Sequence, residues 1–129
     1  MKLMLLAFLS AQLMSSAAFA QADEETLRAG KRQFRTACQA CHGLEKGDNR
    51  NSGPTLHGLL GRKAGTQPDF AFSDVMKSSP IVWSEETLDQ FLTNPQEAIP
   101  GNKMALGAVK VPEQRAQIIA YLKSETGTP

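Results

Sequence analysis

Both cysteines of this chain stand within one seven-residue stretch, Ala37 to Gly43, "ACQACHG", and one of only two histidines, His42, follows directly behind them. Few folds accommodate such a stretch. A redox dithiol of the thioredoxin kind sits between a strand and a helix, and no alternating strand pattern occurs here. A tetrahedral zinc site needs four ligands, and beyond Cys38, Cys41 and His42 only His57 is left. A disulfide over so short a span would constrain the unfolded chain little, because its effect grows with loop length. The remaining chemistry of C-x-x-C-H is covalent haem attachment. Each thiol adds across a vinyl group, and the histidine becomes an axial iron ligand. The spacing suits such an attachment. Three residues make about one helical turn, so both sulfurs reach the same ring edge and the imidazole follows beneath the metal.

The first twenty residues read as a secretory leader. Lys2 gives a positive start, "LMLLAFLSAQLM" is mostly apolar, and Ala18 and Ala20 are small residues before a cut. Residues 21–129 then form one domain. Lys2 is the only charged residue of the leader, so its loss leaves 13 Lys and Arg against 13 Asp and Glu. A neutral chain of this kind has no basic field for nucleic acid and no polybasic run for a membrane surface.

Helical signals dominate the rest. "DEETLRAGKRQFRTACQACH" places Leu27, Gly30, Phe34 and Cys38 on one stripe, with Asp23 as cap. A glycine on that stripe costs about 1 kcal/mol against alanine and points to a second backbone passing close by. "SDVMKSS" and "SEETLDQFLTNP" are capped by Ser73 and Ser84, and "PEQRAQIIAYLKSETG" begins on Pro112. Gly43 to Gly65 and Pro95 to Val111 read as loops. Loops this long are unusual in a compact domain; they suit a chain that wraps a rigid body. The expected fold class is all-α.

A haem held by His42 has a second axial position. His57 lies only fifteen residues past His42 in a glycine-rich loop, where a surface role is the simpler reading. Met76 sits in a short helix, where methionine usually fills core space. Met104 sits in "NPQEAIPGNKMALG", bent by Pro95, Pro100 and Gly101 so that a side chain can be presented inward. Its soft thioether raises the potential. Met104 is therefore the favoured partner of His42.

These motifs in this order, Gly30 and Phe34, "CQACHG", "GPTLHGLLGRKAGT", "FAFSD", "IVWSEETLDQFLTNP", "IPGNKM" and "IIAYLK", resemble the class I c-type cytochromes, in particular the bacterial cytochrome c2 and mitochondrial cytochrome c branch. The resemblance runs nearly the whole length of residues 21–129. It implies a small fold in which the first and last helices cross, Gly30 and Phe34 against Ile118 and Tyr121, and loops wrap one haem c bound through Cys38 and Cys41. It implies His42 and Met104 as iron ligands, the Pro54 carbonyl as acceptor for the second nitrogen of His42, and Arg62 and Trp83 at a haem propionate. The implied activity is electron carriage rather than enzymatic catalysis. The implied setting is the periplasm, as a monomer, with a bc1-type complex as donor. The acceptor would be an oxidase, a photosynthetic reaction centre or a peroxidase, and a periplasmic dehydrogenase is a further electron source. Two other readings are a haem enzyme or gas sensor with a weakly held Met104, and a haem subunit bound to a dehydrogenase.

The chain departs from the family at named positions. Phe72 and Phe91 stand where many relatives have Tyr, Met76 where they have Asn, and Asn102 where they have Thr. The resulting expectation is a more apolar pocket with fewer donors near the Met104 sulfur. Lys31, Arg32, Lys103 and Lys110 are expected near the exposed haem edge, whereas Ala37, Gln96, Glu97 and Leu106 replace lysines or an aromatic common there.

Overall fold

Gly30 sets the architecture. A Cβ at this position would run into the backbone oxygen of Gln117 and lie 2.7 Å from the Cβ of Tyr121. Only a glycine lets two helices approach this closely. The first helix, α1, is described over 23–37, and residues 20 and 21 are also helical. It crosses the last helix, α5 (Pro112–Thr126), and one turn on from Gly30 the rings of Phe34 and Tyr121 meet at 5.7 Å, tilted by 51°. Ile118, Tyr121 and Leu122 of α5 are buried beside Phe34. The crossing expected from the sequence is present.

The computed structural model describes residues 20, 21, 23–49 and 52–127. The expected leader and most of its cut site lie outside them. Between α1 and α5 come three shorter helices: α2 (Asp74–Ser78), α3 (Glu85–Thr93) and α4 (Pro95–Ala98). No described helix is long and apolar enough to cross a membrane. Caps act where expected. The Ser73 hydroxyl accepts from Met76 N at 3.3 Å. Ser84 and Thr87 close a reciprocal box at the start of α3, with Thr87 N to Ser84 Oγ at 3.1 Å and Ser84 N to Thr87 Oγ1 at 2.8 Å.

Two expectations need correction. α1 does not stay regular to His42: it ends at 37, and residues 38–41 form a turn in which Cys41 N and His42 N both donate to Cys38 O, at 3.0 and 2.9 Å. The segment after Asn94 is not wholly loop. Pro95 opens a four-residue helix, a position where its missing N–H costs nothing.

Among the described residues there is no strand; an isolated antiparallel bridge joins Lys63 and Val82. Around it Gly61 N donates to Trp83 O (2.8 Å), Trp83 N to Arg62 O (2.9 Å) and Ala64 N to Ile81 O (2.8 Å). The described residues between 43 and 65 contain no helix, as expected. Their shape is held by side-chain and end contacts instead: Thr55 Oγ1 donates to Glu45 O at 2.7 Å, Asn49 Oδ1 accepts from Thr55 N at 2.8 Å, and Gly58 N donates to Thr126 O at the end of α5 at 2.8 Å.

Candidate haem site

The turn at residues 38–41 delivers both thiols and the imidazole to one cavity of about 350 Å³. Cys38, Cys41 and His42 form part of its wall, and both cysteines are free thiols. Burial, reinforced by the neighbouring Cys41, pushes the Cys38 thiol up to about 11. Burial lowers the pKa of His42, and the bond to Pro54 partly opposes this. The site therefore favours a neutral imidazole, the form that binds a metal.

The ring of His42 is fixed. Its Nδ1 lies 2.8 Å from Pro54 O. A carbonyl only accepts, so Nδ1 carries the proton and Nε2 keeps the lone pair for a metal. Gly53 makes room: a Cβ there would lie 2.7 Å from Cε1 and 2.8 Å from Nδ1 of the ring. A haem fits this donor set. Two free thiols, one imidazole with an available nitrogen and the thioethers of Met76 and Met104 share the cavity wall with a set of Leu, Ile, Phe and Trp side chains.

Met104 is half-buried and lines this cavity, packed on the buried core. Met76 lines it too, from α2, and is 8% exposed. His57 is half-exposed and does not line it. The structure thus places both methionine candidates, and not the second histidine, on the cavity wall.

Arg62 and Trp83 come to the same wall because the 61–64 and 81–83 segments bond back to back. The Arg62 guanidinium is steadied by Nε donating to Gly58 O at 3.3 Å. Trp83 is buried and meets Phe91 edge-on at 5.1 Å.

The departures from the family have different outcomes. Phe72, Phe91 and Met76 all line the cavity, so these three replacements bear directly on its wall. Phe91→Tyr would add a hydroxyl to the cavity wall that Met104 also lines. A hydrogen bond donated to the thioether draws electron density from the ligand and disfavours ferric iron. The expected result is an upward shift of the reduction potential by about 20–60 mV, since one net hydrogen bond is about 0.5–1.5 kcal/mol and a factor of ten is about 59 mV for one electron. Voltammetry of the two proteins checks it. An unchanged potential would show that the hydroxyl finds another partner.

Asn102 is different. It is 6% exposed, is not part of the cavity wall, and its amide is spent on the protein backbone. It is a bonded loop residue, not a lost pocket donor.

Of the expected edge cations, only Lys103 lines the cavity, and its Nζ donates to Ala71 O at 2.7 Å. Arg32 pairs with Glu25 at 3.2 Å, and Lys110 Nζ donates to Thr93 O at 3.0 Å. Leu106, 83% exposed, stands at the cavity's rim beside Lys103. One buried residue of consequence is not evident from the motifs. Arg115 is 8% exposed; its Nε donates to Asp89 Oδ1 at 2.7 Å and its Nη1 to Val109 O at 2.9 Å. Its position three and four residues before Ile118 and Ile119, on the buried face of α5, is the available signal.

The Cytochrome c family model matches residues 27–126. Cytochrome c of Chlamydomonas reinhardtii is 45% identical over 108 residues, covering 84% of this chain and 96% of that protein. Cytochrome c of Sesamum indicum is 41% identical over 110 residues, covering 85% and 99%. Among solved structures, cytochrome cH from Methylobacterium extorquens aligns with a TM-score of 0.69 at 42% identity, covering 75% of this chain and 96% of that one.

Proposed function

This chain belongs to the cytochrome c family of haem-based electron carriers, which hold haem c through the cysteines of such a motif, and from that premise we propose that it is a soluble periplasmic carrier with iron held between His42 and Met104. The observation that carries this reading is the convergence of Cys38, Cys41, His42 and Met104 on one apolar cavity. The bound haem supplies a one-electron couple between ferric and ferrous iron.

The chain's own residues do the rest. Cys38 and Cys41 anchor the ring covalently. Pro54 holds the His42 imidazole in the tautomer that presents Nε2. Arg62 and Trp83 supply a guanidinium and an indole N–H for a propionate on the inner wall. Phe72, Phe91, Leu88 and Leu92 exclude water from the cavity. With His42 and Met104 both holding the iron, no position would be left for a substrate, in keeping with a family of carriers rather than enzymes.

Redox proteins are the partners of this family. The specific pairing proposed is a bc1-type complex as donor and an oxidase, reaction centre or peroxidase as acceptor, with a periplasmic dehydrogenase as another source. The apolar run "LMLLAFLSAQLM" before Ala18 and Ala20 supports export to the periplasm. Leu106 with Lys103 gives a small, mostly apolar contact at the rim, which suits brief encounters.

The test is carbon monoxide. The reduced holoprotein at neutral pH is expected to bind none, because Met104 occupies the sixth position. Ready formation of a carbon monoxide complex would sink the carrier reading in favour of a gas sensor or haem enzyme.

A further inference from the structure

The segment that carries Met104 is built around one buried amide. Ile99, Pro100, Gly101 and Asn102 form a tight turn, with Gly101 at φ 83° and Asn102 N donating to Ile99 O at 3.2 Å. This is the backbone that places proline second and glycine third. The turn puts the Asn102 side chain under α4. Its Nδ2 donates to Pro95 O and to Ile99 O, both at 2.7 Å. Its Oδ1 accepts from the backbone N–H of Met104 at 2.7 Å. Both N–H donors are therefore used on backbone carbonyls, and the oxygen is engaged by the Met104 N–H. From outside, Gln96 closes the other edge: its Nε2 donates to Asn102 O at 2.9 Å and to Met104 O at 3.2 Å. The residue carrying the thioether is thus held at its N–H by one amide and at its carbonyl by another, and both amides belong to the protein.

We infer that Asn102, supported by Gln96, is the positioning residue for Met104, a clamp that breaks when the thioether leaves the iron and so sets how readily an outside ligand can take its place. The inference rests on the reading of Met104 as the axial ligand. The apolar wall around Met104 makes such a clamp necessary. Phe91 and Met76 offer no hydroxyl or amide to steady the sulfur from within, so its position has to be secured through the backbone behind it.

Ligand exchange and unfolding distinguish a clamp from ordinary loop packing. If the clamp is broken whenever Met104 is displaced, removing it destabilises only the closed form, and the loss reappears as gained affinity for the displacing ligand. The experiment titrates ferric holoprotein with imidazole, for the parent, Asn102→Ala and Gln96→Ala, and repeats urea denaturation with and without saturating imidazole. Imidazole affinity is expected to rise about tenfold in Asn102→Ala and about threefold in Gln96→Ala, the scale of one net hydrogen bond. The Asn102→Ala midpoint should fall below the parent's in buffer and coincide with it in saturating imidazole. Gln96 is exposed, so its variant folds and decides the matter even if Asn102→Ala does not retain haem. A parent lacking the thioether-to-iron absorption band overturns the ligand reading, and the clamp with it. A parent that has the band, with variants whose imidazole affinity stays within about twofold of it or whose midpoint gap persists in imidazole, overturns the clamp alone.

Discussion

Met104→Ala is expected to abolish the thioether-to-iron band of the ferric protein, lower the reduction potential by about 0.2 V or more, and open the iron to carbon monoxide. The direction follows from ligand chemistry. A thioether is soft and favours ferrous iron, and its usual replacement, water or hydroxide, is hard and favours ferric iron. Axial ligands move haem potentials over about 0.8 V, so losing the methionine is a large change. Met76→Ala is the control. It lines the same cavity, but from the middle of α2, with its N–H on the Ser73 hydroxyl and its carbonyl accepting from Ser79 N. It is expected to keep the band and lose stability by about 2–5 kcal/mol, the range for a buried methionine cut to alanine. A band lost in Met76→Ala and kept in Met104→Ala would reverse the assignment.

Gly30→Ala carries the largest expected effect on stability. On an isolated helix the change would help by about 1 kcal/mol. Here the added methyl meets the carbonyl oxygen of Gln117 and the Cβ of Tyr121. Neither is the movable end of a flexible side chain, so α1 and α5 have to separate. That shift also spoils the packing of Phe34 on Tyr121. The expected net loss is about 3 kcal/mol or more, the upper end of overpacking penalties, against a total of about 5–15 kcal/mol for a domain. Urea denaturation of the two holoproteins measures it. Equal midpoints would mean that the helices do not cross as closely as the structure has them.

The fold and much of the candidate site were legible in the sequence because their signals are local or chemically rare. C-x-x-C-H, a glycine on an apolar stripe, and Ser73 and Ser84 before helical runs each have one dominant physical reading. What stayed hidden depends on where a side chain turns. Pro95 reads as a stop, and the four residues it begins are too few to show a period, so α4 was not visible. Asn102 reads as a lost pocket donor because sequence compares residue types, whereas the turn at Gly101 aims the amide away from the cavity. Arg115 belongs to none of the motifs, and its role shows only in Asp89 and the two backbone carbonyls around it. The leader expected over 1–20 lies largely outside the described residues and remains a proposal from composition.

Arg115 has a consequence for how the Met104 segment moves. Its guanidinium joins the side chain of Asp89 on α3 to the carbonyls of Val109 and Lys110, and Val109 N also donates to Leu92 O at 2.7 Å. At the other end, Asn94 closes α3 and opens α4 in a single residue. The two ends of the segment are therefore moored to the same helix. Between these moorings the chain is a span tied at both ends to one frame. When it lifts, the ends cannot drift apart, and the entropy it gains is that of a short closed loop rather than of a free strand. On the proposed ligation, release of the methionine and its return would be movements of one small unit, while the crossed helices behind it keep their packing.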